Sequence, residues 1–361
     1  DATSGGGRRL PLVGLADALR EASYVVETEI RVQHGLDSPS LSKRIDVAQF
    51  DVCRLGAIET AAALEGTVDF VVASQENMPD AGHPYSALRF IAQDHSGYGP
   101  TRIVREIVSD YVRAYVEGVS TVDRAYVGTS VTSVGLNLTR LWPLTSALRS
   151  LTEEVRAERP NGFDCREVAE LGAAALRAEN VQEGQPAGQL EAASGRSTAA
   201  SQASIDLVAL LSALASETRI SGPTVSPGVR KAARAALEVI GRPQLWTSES
   251  PRGAQLQFGG QYRKLVDFNP DGPFVVEAHR VEPESGKRAA GLSVLWGNPY
   301  ELLTPANGEQ LAPLDVYRAL PFAAQTGWTG IMGQCVAVAS ACLNWAPDPG
   351  QPNAKNPCDE L

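Results

Sequence analysis

Arg44-Ile45-Asp46-Val47-Ala48-Gln49-Phe50-Asp51-Val52-Cys53 reads as a strand that carries a thiol at its C-terminal end. A helical pattern follows at once, Leu55-Gly56-Ala57-Ile58-Glu59-Thr60-Ala61-Ala62-Ala63-Leu64. Strand, tight turn and helix in that order are how an open α/β sheet presents a reactive group, because ligand sites in such sheets lie outside the carboxyl ends of the strands. A helix N-terminus beside the sulfur favours its thiolate form. Cys53 is therefore the candidate nucleophile, against the plainer alternative of a small buried side chain.

Working outward, residues 12–22 place Leu12, Leu15, Leu19 and Ala22 on one helical stripe. A loop containing His34-Gly35 is expected between that helix and the Cys53 strand. Val68 to Ser74 is a second apolar strand, left by a polar loop from Gln75 to Tyr85. Helix and strand alternate so far, which is the pattern of a mostly parallel sheet with helical crossovers. Residues 101–117 again have helical periodicity. Arg124 to Leu138 reads as extended and leads into a helix at Leu141 to Val155. Residues 176–202 are polar and small, the mark of an exposed insertion. Helices are expected from Ile205 to Ser216, from Val225 to Ile240 and around 312–325. Strands are expected at 254–258, 274–281 and 291–296.

The chain of 361 residues has 42 acidic and 32 basic side chains and a formal net charge of -10. No basic tract interleaves with aromatics, which argues against a nucleic-acid partner. No apolar run reaches the roughly 18–20 residues of a membrane span. The chain opens on Asp1 and a glycine string, Gly5 to Gly7, a start expected of a processed chain or of a fragment. There are five cysteines, and Cys165, Cys335, Cys342 and Cys358 read either as structural in an oxidising compartment, leaving Cys53 reactive, or as free buried thiols in a reducing cell. Their pairing stays open.

Several segments together resemble the clostripain-like cysteine peptidases, of the clan that holds caspases, gingipains and legumains. Phe50-Asp51-Val52-Cys53 is similar to that family's Phe-Asp-Ala-Cys, with Val52 in place of alanine. Asp69 to Glu76 resembles its Asp-Tyr strand ending in Ser-Glu-Glu, and Met78 to Tyr85 the turn that ends in Tyr. Ser133 to Leu138, Ser204 to Leu207, Gly291 to Trp296 and Tyr317 to Trp328 resemble later segments in the same order. The likeness runs from about residue 10 to residue 330.

The resemblance implies a three-layer α/β/α caspase-like sandwich with a mostly parallel central sheet. It implies a core over 1–175, the insertion at 176–202, the rest of the same domain over 203–330, and a small β-containing, Cys-bearing extension with its tail at 331–361. It implies an endopeptidase with a Cys–His dyad that cleaves after Arg, with Lys second. Asp51 would line the pocket for that basic side chain, with Asp80, Glu76 and His83 as further substrate-binding candidates. The partner histidine is expected on an upstream light chain of the same precursor. Within this chain His34 is a weak candidate, and His95 and His279 read as surface or packing residues. Calcium is a cofactor the resemblance allows, with Glu76 the first candidate ligand and Asp46 and Glu59 behind it. The localisation it implies is secreted, periplasmic or cell-surface. A non-catalytic binding module and a peptide ligase on the same scaffold are the alternatives.

Overall fold

The computed structural model describes residues 12–34, 44–75, 78–79, 81–86, 88, 99–117, 131–157, 204–215, 226–241, 246–247, 261–265, 274–282, 292–295 and 313–331. The insertion at 176–202, the strand expected at 254–258, Glu76, Asp80, His95 and the four cysteines other than Cys53 lie outside the described residues.

Helix α1 (Leu12–His34) precedes strand β1 (Ile45–Gln49), α2 (Ile58–Leu64) and β2 (Val68–Ala73). Helix α3 (Pro100–Glu117) and β3 (Val131–Asn137) follow, then a 3₁₀ turn into α4 (Leu141–Ala157). The second half contributes β4 (Ser204–Asp206), α5 (Leu207–Ala215) and α6 (Pro227–Ile240). Strands β5 (Trp246–Thr247), β6 (Gln261–Leu265), β7 (Val275–Glu282) and β8 (Ser293–Leu295) come next, and the short helices α7 (Pro313–Arg318) and α8 (Pro321–Thr326) close the described chain.

Local chemistry sets several of these ends. Ser226 caps α6 by accepting the Val229 N–H at 3.2 Å, and Pro227 starts the helix where no N–H is needed. Its buried Val229, Ala232, Ala233, Ala236 and Ile240 recur at helical spacing. Asn137 accepts the Thr139 N–H and so turns β3 into α4.

Six strands form one sheet in the order β1-β2-β3-β7-β6-β5, and β4 pairs with β8 separately. Among the described strands of this sheet only β1 and β2 run parallel; the β2–β3, β3–β7, β7–β6 and β6–β5 pairs are antiparallel. The sheet is therefore mixed, not mostly parallel. The sequence misleads here for a physical reason. Near-continuous apolar runs such as Phe70 to Ala73 report burial on both faces, and that is compatible with either strand direction.

The sheet packs against two apolar clusters. Val68, Val71 and Ala73 of β2, Val134 and Leu136 of β3 and Val275 and Ala278 of β7 join the main core, with α2, α4, α5 and α6. Val72 and Val276 point to the other face and pack on Val104, Ile107 and Val108 of α3. Helices thus cover both faces. The approach of α3 is close: a Cβ at Gly135 would lie 2.2 Å from Val104 Cγ1.

Three further expectations change. Helix α1 runs on to His34, so His34 ends a helix instead of lying in a loop; between Gly14 and Gly35 no glycine or proline interrupts the chain. Ser204 to Asp206 is a strand that precedes α5, because it pairs with β8. The helix around 312–325 is two helices, divided where Pro321 cannot continue the ladder.

Candidate active site

The parallel pairing of β1 with β2 continues past the strand, with Phe50 N–H bonding Val72 C=O at 2.9 Å. The chain then leaves the sheet through Asp51, Val52, Cys53 and Arg54, all on the surface or partly so. Arg54 has φ 61°, a left-handed conformation that is uncommon for a side-chain-bearing residue. Gly56 pins the far side of the turn. Its N–H bonds Ser74 C=O at 2.7 Å, and its C=O accepts the Ser293 N–H at 2.9 Å. The Ser293 hydroxyl adds a second bond to that carbonyl at 3.3 Å. Ser293 is therefore a buried anchor for the cysteine turn.

Cys53 is an exposed free thiol. Its Sγ accepts the backbone N–H of Met78 at 3.3 Å and lies 3.9 Å from the Met78 carbonyl oxygen. The loop after β2 thus comes back over the turn after β1, as the two ends of parallel neighbours must.

Asp51, two residues ahead of the sulfur, meets the same loop. Its Oδ2 accepts the Tyr85 hydroxyl at 2.8 Å and the His83 backbone N–H at 3.2 Å. Gly82 has φ 61°, and a Cβ there would lie 2.6 Å from Oδ2. Helix α3 is the loop's platform: Tyr115 donates to Gly82 C=O at 2.8 Å, and Ser86 donates to Asp110. The His83 ring stacks near Tyr111 at 4.4 Å between centroids. Burial pushes the His83 imidazole down to about 4, against the opposing pull of Asp51 and then Asp110. It is neutral at pH 7 and sits behind Asp51, its side chain buried.

Glu59 is buried in the first turn of α2. One oxygen accepts both the Leu295 N–H and the Tyr317 hydroxyl, each at 2.8 Å. Burial raises its carboxyl above the ordinary range, and those two hydrogen bonds oppose the rise. Gln75 donates to the buried Asp206 at 2.9 Å and takes Thr132 Oγ1 on its N–H at 3.0 Å. Asp46 is exposed on β1, and His279 lies in β7 opposite Ser133. His34 is the last residue of α1 and precedes β1 in the chain. The contacts of Ser293, Tyr317, Tyr115 and Asp110 with the site segments were missed in the sequence. A lone carboxylate in an otherwise apolar helix was the available signal for Glu59; Asp110 shares its helix with other charged residues and gave no such signal.

Fold and site define an α/β protein that exposes a thiol and an acidic side chain together at the end of a sheet strand. Residues 30–181, which hold Asp51, Cys53 and the loop facing them, match the model of the clostripain family of peptidases. Among solved structures, a Bacteroides thetaiotaomicron clostripain bound to a peptide inhibitor is 16% identical, with a TM-score of 0.31 over 47% of this chain and 59% of that one. A B. fragilis cysteine protease is 15% identical, with a TM-score of 0.43 over 91% and 97%. A secreted cysteine protease from Bacteroides thetaiotaomicron is 15% identical, with a TM-score of 0.46 over 90% and 66%. The chain thus spans 59% of the first of these proteins. No curated protein sequence matches it.

Proposed function

We propose that this chain is the Cys-bearing part of a clostripain-like cysteine endopeptidase that cleaves after Arg or Lys. One observation carries the reading: exposed Cys53 at the end of β1, with the carboxylate of Asp51 two residues ahead and held by the same loop that contacts the sulfur. The match over residues 30–181 supports it.

In this reading the Cys53 thiolate attacks the scissile carbonyl to give an acyl-enzyme, and water then releases the acid. An imidazole on an upstream light chain of the same precursor protonates the leaving amine. The Cys53 backbone N–H contributes to the oxyanion hole. Asp51 pairs with the basic P1 side chain, because a desolvated carboxylate left unpaired disfavours neutral ones. Asp80 and Glu76 are further substrate-binding candidates in this reading. The fold is a caspase-like sandwich with a Cys-bearing C-terminal extension, and the protein is exported and activated by proteolysis. No helix of the described residues is long and apolar enough to cross a membrane.

Glu76, the first candidate for calcium, lies outside the described residues. No group of three or more His, Cys, Asp or Glu side chains is placed to hold a metal among them. Glu59 is buried and bonded to Leu295 and Tyr317. No step is assigned to a metal.

A second reading, a non-catalytic binding module on the same scaffold, is favoured by the sulfur's hydrogen bonds: among the described residues they run only to Met78. Fluorogenic peptides with Arg, Lys, Asp or Leu at P1 separate the two, assayed on the chain with any upstream chain of its precursor. The peptidase reading expects cleavage after Arg and Lys that disappears in Cys53→Ala. No cleavage after any residue selects the binding module.

A further inference from the structure

The two oxygens of Asp51 are not equivalent. Oδ2 accepts the Tyr85 hydroxyl at 2.8 Å and the His83 N–H at 3.2 Å. Among the described residues no donor reaches Oδ1. Gly82 covers part of the carboxylate, since a Cβ there would lie 2.6 Å from Oδ2 and 2.9 Å from Oδ1. A carboxylate oxygen has about two acceptor sites, so Oδ2 is filled.

This matters for the choice between the two basic side chains. A guanidinium reaches its strongest pairing with a carboxylate as a fork, one N–H on each oxygen. An ammonium is a compact point charge and is served by one oxygen. A carboxylate with one oxygen filled forfeits the fork and keeps the point-charge contact.

Tyr85 is built to hold this arrangement. It is a non-glycine residue at φ 53°, a conformation that persists only where the surroundings impose it. The loop that imposes it is tied to α3 through Tyr115 and Gly82. Its ring is half-exposed and lies 6.3 Å, centroid to centroid, from the His83 ring, and its hydroxyl is its link to Asp51. The bond to Asp51, then burial, then the carboxylate's charge raise the phenol's pKa, and it remains a donor through the neutral range.

We propose that Tyr85 is a specificity-determining residue: by occupying Asp51 Oδ2 it restricts the pocket to one-oxygen recognition and makes Lys at P1 at least the equal of Arg. The proposal rests on Asp51 being the P1 pocket acid, and it reverses the order expected from resemblance, in which Arg leads.

The test compares kcat/KM for matched peptides with Lys or Arg at P1, on the chain with any upstream chain of its precursor. Wild type should give a Lys:Arg ratio of one or more. Tyr85→Phe opens one acceptor site on Oδ2, and the Arg:Lys ratio should rise about tenfold, carried by KM, as one regained hydrogen bond predicts. In the Asp51→Asn background the same Tyr85→Phe change should leave the ratio unmoved. A ratio within twofold of wild type in Tyr85→Phe, or equal loss on both substrates, overturns the proposal while leaving Cys53 and Asp51 in their roles. If wild type cleaves neither basic peptide, the pocket reading fails and this proposal with it.

Discussion

Tyr317 and Leu295 converge on one oxygen of Glu59 from 258 and 236 residues away in the chain. Tyr317→Phe removes one of the two donors from a buried carboxyl group, a loss of about 1–3 kcal/mol. Denaturant unfolding followed by circular dichroism should show the midpoint falling, with the slope unchanged. His83 makes a prediction in pH. Its imidazole is held at about 4 against an ordinary 6.5, first by burial. Between those values the unfolded chain binds a proton that the folded chain refuses. Stability is therefore complete above about pH 6.5 and falls toward pH 4 by up to roughly 1.4 kcal/mol per unit. His83→Gln should flatten that slope in unfolding curves taken at pH 7, 5.5 and 4.5. Cys53 stood out in the sequence because a strand pattern and a helix pattern bracket it, whereas Asp51 was indicated by the resemblance alone. The donors that hold them were not legible, because Tyr85, Tyr115 and Ser293 reach the site only through the fold.

Helix α3 both closes one face of the sheet and carries the platform for the loop that meets Asp51. Its seat is Gly135, where any Cβ would lie 2.2 Å from Val104 Cγ1. Gly135→Ala should cost about 1–3 kcal/mol by overpacking. Combining it with Val104→Ala should recover part of that loss, since the two positions touch. Thermal melts of the four members of the cycle measure the coupling, and strict additivity would contradict this account of how α3 is seated. At this scale the helices at 101–117, 141–155 and 225–240 were readable from apolar spacing alone. Strand β6, Gln261-Tyr262-Arg263-Lys264-Leu265, was not, since its polar sequence carries no strand signature and its partner β7 defines it. Strand direction was equally hidden, because burial on both faces leaves the same apolar run in either orientation.

Across the whole molecule, the second half of the chain completes what the first half presents. Strand β7 enters the sheet beside β3, and β8 reaches back to the turn after Cys53 through the Ala57–Ser293 bridge. The order of motifs could be read along the chain, but this return could not. The central claim is that Cys53 is a nucleophile served by an acidic P1 pocket. The most direct measurement is the intact mass and peptide map of the chain, with any upstream chain of its precursor, after reaction with an electrophilic peptide ketone bearing Lys at P1. The account predicts one adduct, a thioether at Cys53 formed with loss of the ketone's leaving group, and slower labelling in Asp51→Asn. An adduct at another cysteine, or labelling at Cys53 equally fast with Leu at P1, would contradict it.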